Sequence, residues 1–230
     1  MNYILNIHTT AEKAIVNISN EHQLIGTSVN SEQKEHAGFL HTAIKNILAE
    51  NHLKIAELKA VGVTGGPGSY TGIRVGLATA KGLCFALKIP MMMYNSLELT
   101  AFSAIENSEA DSQALFCPMI DARRMEVFSA VYDHKLKEIQ SPAAIVLDEN
   151  SFSDLPAHLA VFYFGSGAAK FKQLEENRNT HWHYISSDVT SEALACFGWN
   201  KFKKNDFENV VNAKPLYVKE FYTPAKNVIN

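Results

Sequence analysis

Three cysteines, Cys84, Cys117 and Cys196, are all that the 230 residues hold, and none stands in a Cys-x-x-Cys pair. Disulfide frameworks and zinc–thiolate sites draw on paired, closely spaced cysteines, so both are excluded, and the thiols read as buried side chains of a reduced compartment. No apolar run approaches the ~20 residues needed to span a bilayer. The opening Met1-Asn2-Tyr3-Ile4 lacks the basic start and apolar stretch of a secretory signal, so a cytoplasmic protein with no membrane contact is expected. Positive charge is not in excess either. A net charge of −3 with neutral histidines gives no general attraction to nucleic acid, and only local patches such as Lys201-Phe202-Lys203-Lys204 are left. Catalytic signatures are missing as well. There is no G-x-S-x-G elbow, no Cys/His pair, and no Gly-Lys-Ser/Thr end to a phosphate loop.

What is present is a globular composition, 47% apolar, long enough for one unit or two small lobes. Tyr3 to His8, Lys13 to Ser19 and Glu21 to Val29 read as three strands of an antiparallel meander. A helix from Glu35 to Asn51 follows, with Phe39, Leu40, Ala43, Ile44, Ile47 and Leu48 on one broad stripe. Then come a buried strand near Ala60–Thr64, a Gly-rich turn, a helix from Thr71 to Leu87, and a strand from Pro90 to Tyr94. Asn95 caps a third helix, with Glu98 placed for a capping box. The second half starts alike, with strands at Ala114–Asp121, Met125–Tyr132 and a weaker Leu136–Gln140. A buried strand, Ala160–Phe164, runs through Gly165-Ser166-Gly167 into a helix from Ala168 to Glu176, and a last helix covers Thr190 to Lys204. The repeated pattern predicts an α/β architecture duplicated over 1–108 and 109–230, followed by a loose polar tail after Tyr222.

The richest segment is Gly65-Gly66-Pro67-Gly68-Ser69-Tyr70-Thr71-Gly72, between a buried strand and a helix. Such a turn points backbone N–H groups at one spot, where the helix dipole favours an anion. Gly65, Gly66, Gly68, Ser69 and Thr71 are therefore the possible phosphate or nucleotide contacts. A tight turn that needs positive φ at glycine is the simpler reading of the same residues. Along the next helix Gly72, Gly76 and Ala80 fall on one face and leave a groove for another backbone. Of the histidines, His36 and His41 stand five apart on a helix and diverge by about 140°, so they do not share a ligand face. His181 and His183 share a strand face without companions. Asp121 ends an apolar run beside Arg123 and Arg124. It suits either a Mg²⁺ ligand or base, or a turn cap paired to arginine.

These residues resemble the TsaB (YeaZ) family. Ile4-Leu-Asn-Ile-His-Thr9-Thr10, Gly66-Pro-Gly-Ser-Tyr-Thr-Gly-Ile-Arg-Val-Gly76 with Ala80-Lys-Gly-Leu83, Met119-Ile-Asp-Ala-Arg-Arg-Met-Glu-Val127 and Lys214-Pro-Leu-Tyr-Val-Lys219 carry the resemblance, while 150–212 diverges. The resemblance implies an actin-like ATPase (ASKHA, RNase H-like) duplicated fold, two lobes with mixed sheets flanked by helices. It implies a non-catalytic subunit in threonylcarbamoylation of N6 of adenosine 37 in ANN-decoding tRNAs. The partners it implies are a TsaD-type catalytic subunit, a TsaE-type ATPase, a second copy of the chain when it is alone, and tRNA reached through the complex. A TsaC-type enzyme supplies threonylcarbamoyl-adenylate. No cofactor of its own is expected, with ATP or ADP at a subunit interface the one place for a nucleotide.

The resemblance also assigns sites. Catalytic relatives carry two metal-binding histidines four apart at the start of the third helix. This chain has Ser96 and Thr100 there, so no catalytic residue and no metal are expected. His8 replaces the family's usual aspartate in the first phosphate loop. The first two helices, 35–51 and 71–87, are the implied subunit interface, with Phe39, Leu40, Ala43, Ile47, Gly72, Gly76 and Ala80 as the contacts. The alternative is an autonomous actin-like ATPase or sugar-kinase-like phosphotransferase using the 65–71 turn.

Overall fold

The computed structural model describes residues 2–21, 23–32, 36–175 and 181–218, with His36 and Ala37 described by backbone only. The first half forms β1 (Tyr3–His8), β2 (Ala14–Asn20), β3 (Gln23–Asn30), α1 (His36–Glu50), β4 (Leu58–Gly66), α2 (Tyr70–Leu87), β5 (Met91–Asn95) and α3 (Ser96–Glu106). The second forms β6 (Leu115–Asp121), β7 (Glu126–Asp133), β8 (Glu138–Val146), β9 (Val161–Phe164), α4 (Ala168–Glu175), β10 (Trp182–Tyr184) and α5 (Ser191–Lys203).

The two sheets have the same topology. The first runs β3-β2-β1-β4-β5 and the second β8-β7-β6-β9-β10, each with an antiparallel meander followed by two parallel strands. This is the duplicated actin-like (ASKHA, RNase H-like) arrangement: two mixed sheets flanked by helices.

Burial on both faces explains the apolar runs in the central strands. Leu5 and Ile7 of β1 pack under α1 and α2 with Leu40, Ala43, Ile47, Leu77 and Ala80. Ile4, pointing the other way, packs with Leu99 of α3 and Leu194 and Phe197 of α5. A polar chain crosses this second layer. The Tyr94 hydroxyl donates to Asn6 Oδ1 at 2.7 Å, Asn6 Nδ2 to Asn17 Oδ1 at 2.9 Å, and Asn17 Nδ2 to the Ser191 carbonyl at 2.9 Å. It fixes the start of α5 to the first sheet, every buried polar atom along it finding a partner. Gly62 and Gly198 are required beside it, because a Cβ at either would run into Tyr94 or Asn6.

The first sheet is built from β1 to β5 and the second from β6 to β10, but the chain after Thr190 returns to the first one. α5 covers β1 and β2. Beyond it, the Glu208 N–H donates to the Met91 carbonyl and the Leu216 N–H to the Gly65 carbonyl, both at 2.8 Å. Lys81 Nζ holds the Val211 and Ala213 carbonyls at 3.1 and 3.0 Å. α3 bridges the lobes, its Leu97 and Ala101 packing on Ala130 and Tyr132 of β7.

Two local expectations change. The third strand of the second meander is β8, shifted to Glu138–Val146 and running through Pro142, which an edge strand tolerates; Leu136 sits in the preceding turn with φ 61°. Asn95 caps α3, accepting from the Leu97 and Glu98 N–H groups, but the Glu98 carboxylate pairs with Lys201 at 3.5 Å instead of closing a capping box. Burial pushes the thiols of Cys84 and Cys117 up, to about 11 and about 12, as fits inert core cysteines. The expected tail after Tyr222 lies outside the described residues. No helix among the described residues is long and apolar enough to cross a membrane.

Candidate functional site

β1, β4, β6 and β9 end at the same place. Residues from the turns that follow them, including Thr10, Lys13, Gly68, Ser69, Asp121, Arg123, Gly165 and Ser166, line a cleft of about 1230 Å³ between the sheets. Ligands of open α/β sheets sit beyond strand C-terminal ends, so position alone makes this the candidate site.

The two lobes build their halves of the cleft in the same way. In the first, a Cβ on Gly68 (φ 145°) or Gly72 would collide with the Thr10 or Thr9 carbonyl of the β1–β2 turn. The Ser69 N–H donates to the Thr10 carbonyl at 2.8 Å. In the second, a Cβ on Gly165 (φ 98°) would lie 2.5 Å from the Met119 carbonyl, and the Gly167 N–H donates to that carbonyl at 2.9 Å. Each glycine turn is thus pressed against the meander strand or turn beside it, as only residues without Cβ allow. The second turn was visible in the sequence as Gly165-Ser166-Gly167 after a buried strand, but it carried no site assignment there.

This geometry divides the residues of the first glycine turn. Gly65 is buried beside Met93, and Gly66 (φ 120°) beside Leu216 and Ile73; neither reaches the cleft. Gly68, Ser69 and Thr71 do line it. Ser69 Oγ accepts from the Gly72 N–H at 3.3 Å, and Thr9 Oγ1 donates to the Gly72 carbonyl at 2.7 Å. Donors that could face a phosphate are in part spent within the chain.

At the head of α3, three hydroxyls meet in the cleft. Thr10 Oγ1 and Ser96 Oγ lie 2.9 Å apart, and Thr100 Oγ1 donates to the Ser96 carbonyl at 2.7 Å. All three are nearly fully buried. The histidine pairs do not supply what is missing here. His41 is exposed on α1, His183 is exposed on β10, and the His36 side chain lies outside the described residues. Among the described residues, no three His, Cys, Asp or Glu side chains are close enough to hold a metal.

Of the two readings of Asp121, the turn cap holds, with a different cation. Its Oδ1 accepts from the Arg123 N–H at 2.6 Å, and its Oδ2 pairs with Lys170 at 2.9 Å, not with an arginine side chain. Partial burial pushes the carboxyl up, but the Lys170 and Arg123 hydrogen bonds outweigh it and hold it below the usual value. Lys13 reaches Asp188 at 2.8 Å, and that hydrogen bond raises the lysine. The two residues stand 175 positions apart, and no local pattern signals their meeting.

The expected interface positions do not all face outward from α1 and α2. Leu40, Ala43, Ile47 and Ala80 are core residues, and Phe39 is half-buried against the same cluster. Gly72 and Gly76 face inward: a Cβ on Gly76 would lie 2.5 Å from Thr9 Oγ1 and 3.3 Å from Val63. The groove along Gly72, Gly76 and Ala80 is therefore filled by the chain's own sheet and β1–β2 turn. A leucine at Gly76 would therefore strike the core. The glycines with open space are Gly38 on α1 and Gly82 on α2, where no atom of the described residues beyond the chain neighbours and the local helix backbone lies within 4 Å of an added Cβ. Nearby, Phe85 is 77% exposed, and a groove of about 390 Å³ runs between Ile44, Leu48, Leu53, Ile55 and Leu83.

The family model "TsaD: tRNA N6-adenosine threonylcarbamoyltransferase" matches residues 15–193. The chain belongs to this family and is of its TsaB (YeaZ) type. It is 30% identical over 132 residues to the tRNA threonylcarbamoyladenosine biosynthesis protein TsaB of Bacillus subtilis, covering 57% of this chain and 56% of that protein. It is 35% identical over 106 residues to TsaB of Haemophilus influenzae, covering 46% of this chain and 44% of that protein. The chain thus spans about half the length of these curated relatives. YeaZ from Pseudomonas aeruginosa shares the fold at a TM-score of 0.78 and 21% identity, over 94% of this chain and all of that one.

Proposed function

We propose that this chain is a non-catalytic dimerisation and scaffold subunit of a cytoplasmic tRNA threonylcarbamoyltransferase complex. In this reading it binds a TsaD-type catalytic subunit and supports threonylcarbamoylation of N6 of adenosine 37 in ANN-decoding tRNAs. It works with a TsaE-type ATPase and pairs with a second copy when alone. The observation that carries the reading is the donor set at the head of α3. Ser96 and Thr100 offer hydroxyls, and both are engaged in hydrogen bonds. Transition metals favour imidazole or thiolate, so these residues do not fit a metal.

The cleft's acids point the same way. Of the three acids that line it, Asp121 and Asp188 are each committed to a lysine, and His8 stands where a carboxylate would help hold Mg²⁺. Docking falls to the outward faces of α1 and α2. Gly38 and Gly82 allow close helix approach, and Phe85 with the Leu53–Ile55–Leu83 groove supplies apolar contact. The size of the cleft and the glycine turns on both sides favour the second reading, an autonomous actin-like ATPase or sugar-kinase-like phosphotransferase. Light scattering of the chain mixed with a TsaD-type subunit, with calorimetry of ATP on the chain alone, separates the two. A heterodimer without ATP turnover is expected. Mg²⁺-dependent binding with hydrolysis by the isolated chain, and no heterodimer, would overturn the subunit reading.

A further inference from the structure

We infer that the β6–β7 turn of the second lobe is a direct RNA contact: Arg123 and Arg124 hold phosphodiester groups, and Tyr184 beside Lys172 stacks an unpaired base. This rests on the subunit reading only for the identity of the RNA.

The turn is built at a cost. Arg123 and Arg124 are consecutive non-glycine residues at positive φ, 70° and 48°. Side chains other than those of Asn, Asp and His rarely adopt that region, and residues held there cluster at functional sites. Here the backbone is over-determined. Asp121 Oδ1 accepts from the Arg123 N–H, the Glu126 N–H donates to the Arg123 carbonyl at 3.1 Å, and the Ala122 N–H donates to the Glu126 carbonyl at 3.1 Å. Lys170 holds the other Asp121 oxygen and also donates to the Glu126 carbonyl at 3.0 Å. If the bend were all that mattered, Asn or Gly would make it more easily.

The bend presents charge. Both arginines are exposed, and neither guanidinium has a hydrogen-bond or ion-pair partner among the described residues. Asp121, the carboxylate two residues before Arg123, is consumed by Lys170 and by the turn's own N–H. Arg123 lines the cleft lip, whereas Arg124 lies outside the cleft lining. The charge therefore continues from the lip onto the outer surface, as an extended phosphodiester chain requires and a nucleotide enclosed in the cleft does not.

An aromatic platform lies on the same sheet edge. β10 runs parallel to β9, and β9 parallel to β6, so Tyr184 is at the strand end that carries Asp121 and Ser166, and it lines the same cleft. The residue is 48% exposed, its ring centroid lies 5.6 Å from that of Tyr163, and Lys172 Nζ lies 5.2 Å from the centroid. Unpaired guanidinium groups beside an exposed, cation-flanked tyrosine are the elements used for single-stranded RNA, by charge on the backbone and stacking on the base.

The test is fluorescence anisotropy of a labelled anticodon stem-loop RNA with the full-length chain across a salt series. The variant Arg123→Asn/Arg124→Asn keeps residues that tolerate positive φ, and an unchanged thermal melt checks that the turn survives. Losing two phosphate contacts lowers the slope of log K against log salt by about 1.4, at ~0.7 per phosphate of a single strand. The gap between wild type and variant then shrinks by about sevenfold from 50 to 200 mM salt. Tyr184→Ala weakens binding without changing the slope, and Tyr184→Phe restores it. No RNA binding by the wild-type chain at low salt, or equal affinity and slope in the double variant, overturns the proposal. So does a double variant that loses ATP binding and keeps RNA binding. Heterodimer formation is read separately by light scattering. Its failure with the RNA signature intact counts against the subunit reading alone.

Discussion

Gly76 and Gly82 lie on the same helix, yet they answer to different partners, and alanine at each tells them apart. At Gly82 no atom of the described residues beyond the chain neighbours and the local helix backbone lies within 4 Å of an added Cβ, so Gly82→Ala gains the helix propensity difference of ~1 kcal/mol with nothing to offset it. In a chain of this size that raises the melting midpoint by about 2–4 °C. At Gly76 the same methyl meets Thr9 Oγ1 at 2.5 Å and Val63 at 3.3 Å. Thr9 Oγ1 cannot turn aside without losing its 2.7 Å bond to the Gly72 carbonyl, a loss of roughly 1 kcal/mol. Added to overpacking of about 1–3 kcal/mol, this exceeds the propensity gain, and Gly76→Ala lowers the midpoint. Gly82→Leu then tests the outward face. If a partner helix approaches there, a leucine costs about 1–3 kcal/mol, or roughly 5- to 150-fold in Kd, in a fully folded protein. Circular dichroism melts and surface plasmon resonance against a TsaD-type subunit read both quantities. A Gly76→Ala protein more stable than wild type, or a Gly82→Leu protein binding with unchanged Kd, would refute the reasoning.

Two further outcomes follow from buried and paired groups. Tyr94→Phe leaves Asn6 Oδ1 without its 2.7 Å donor in a fully buried layer, costing about 1–3 kcal/mol; a urea midpoint equal to wild type would contradict this. The Asp121 carboxyl is held low in the folded chain, so its pairing with Lys170 stabilises fully above the unfolded value near 3.8 and is lost as pH falls through the lower folded value. Asp121→Asn therefore narrows the difference between urea midpoints at neutral pH and at pH below that value, and an unchanged difference would show the pair to be idle.

The elements were legible because their signals are local. β1 falls on Tyr3–His8 as read, the Asn95 cap is in place, and the two meanders announce a duplication that the sheet orders repeat. What did not show in the sequence is direction. Periodicity marks a stripe on α2 but not whether its small residues face a partner or the chain's own Thr9 carbonyl, because a glycine serves close approach either way. The same holds for contacts across the fold. The return of α5 to the first sheet, the closure of Lys13 on Asp188, and the capture of Asp121 by Lys170 rather than an adjacent arginine all join residues far apart in the chain. The strain at Arg123 and Arg124 was equally hidden, since nothing in an Asp-Ala-Arg-Arg run requires positive φ.

The central claim is that the chain contributes to tRNA modification without doing the chemistry. Its most direct test is reconstitution: TsaD-type and TsaE-type subunits, threonylcarbamoyl-adenylate and an ANN-decoding tRNA, with and without this chain, scored by mass spectrometry of the modified nucleoside. Modification that depends on the chain, is absent with the chain alone, and falls with Gly82→Leu is the expected result. Modification at full rate without the chain, or by the chain alone, would contradict it.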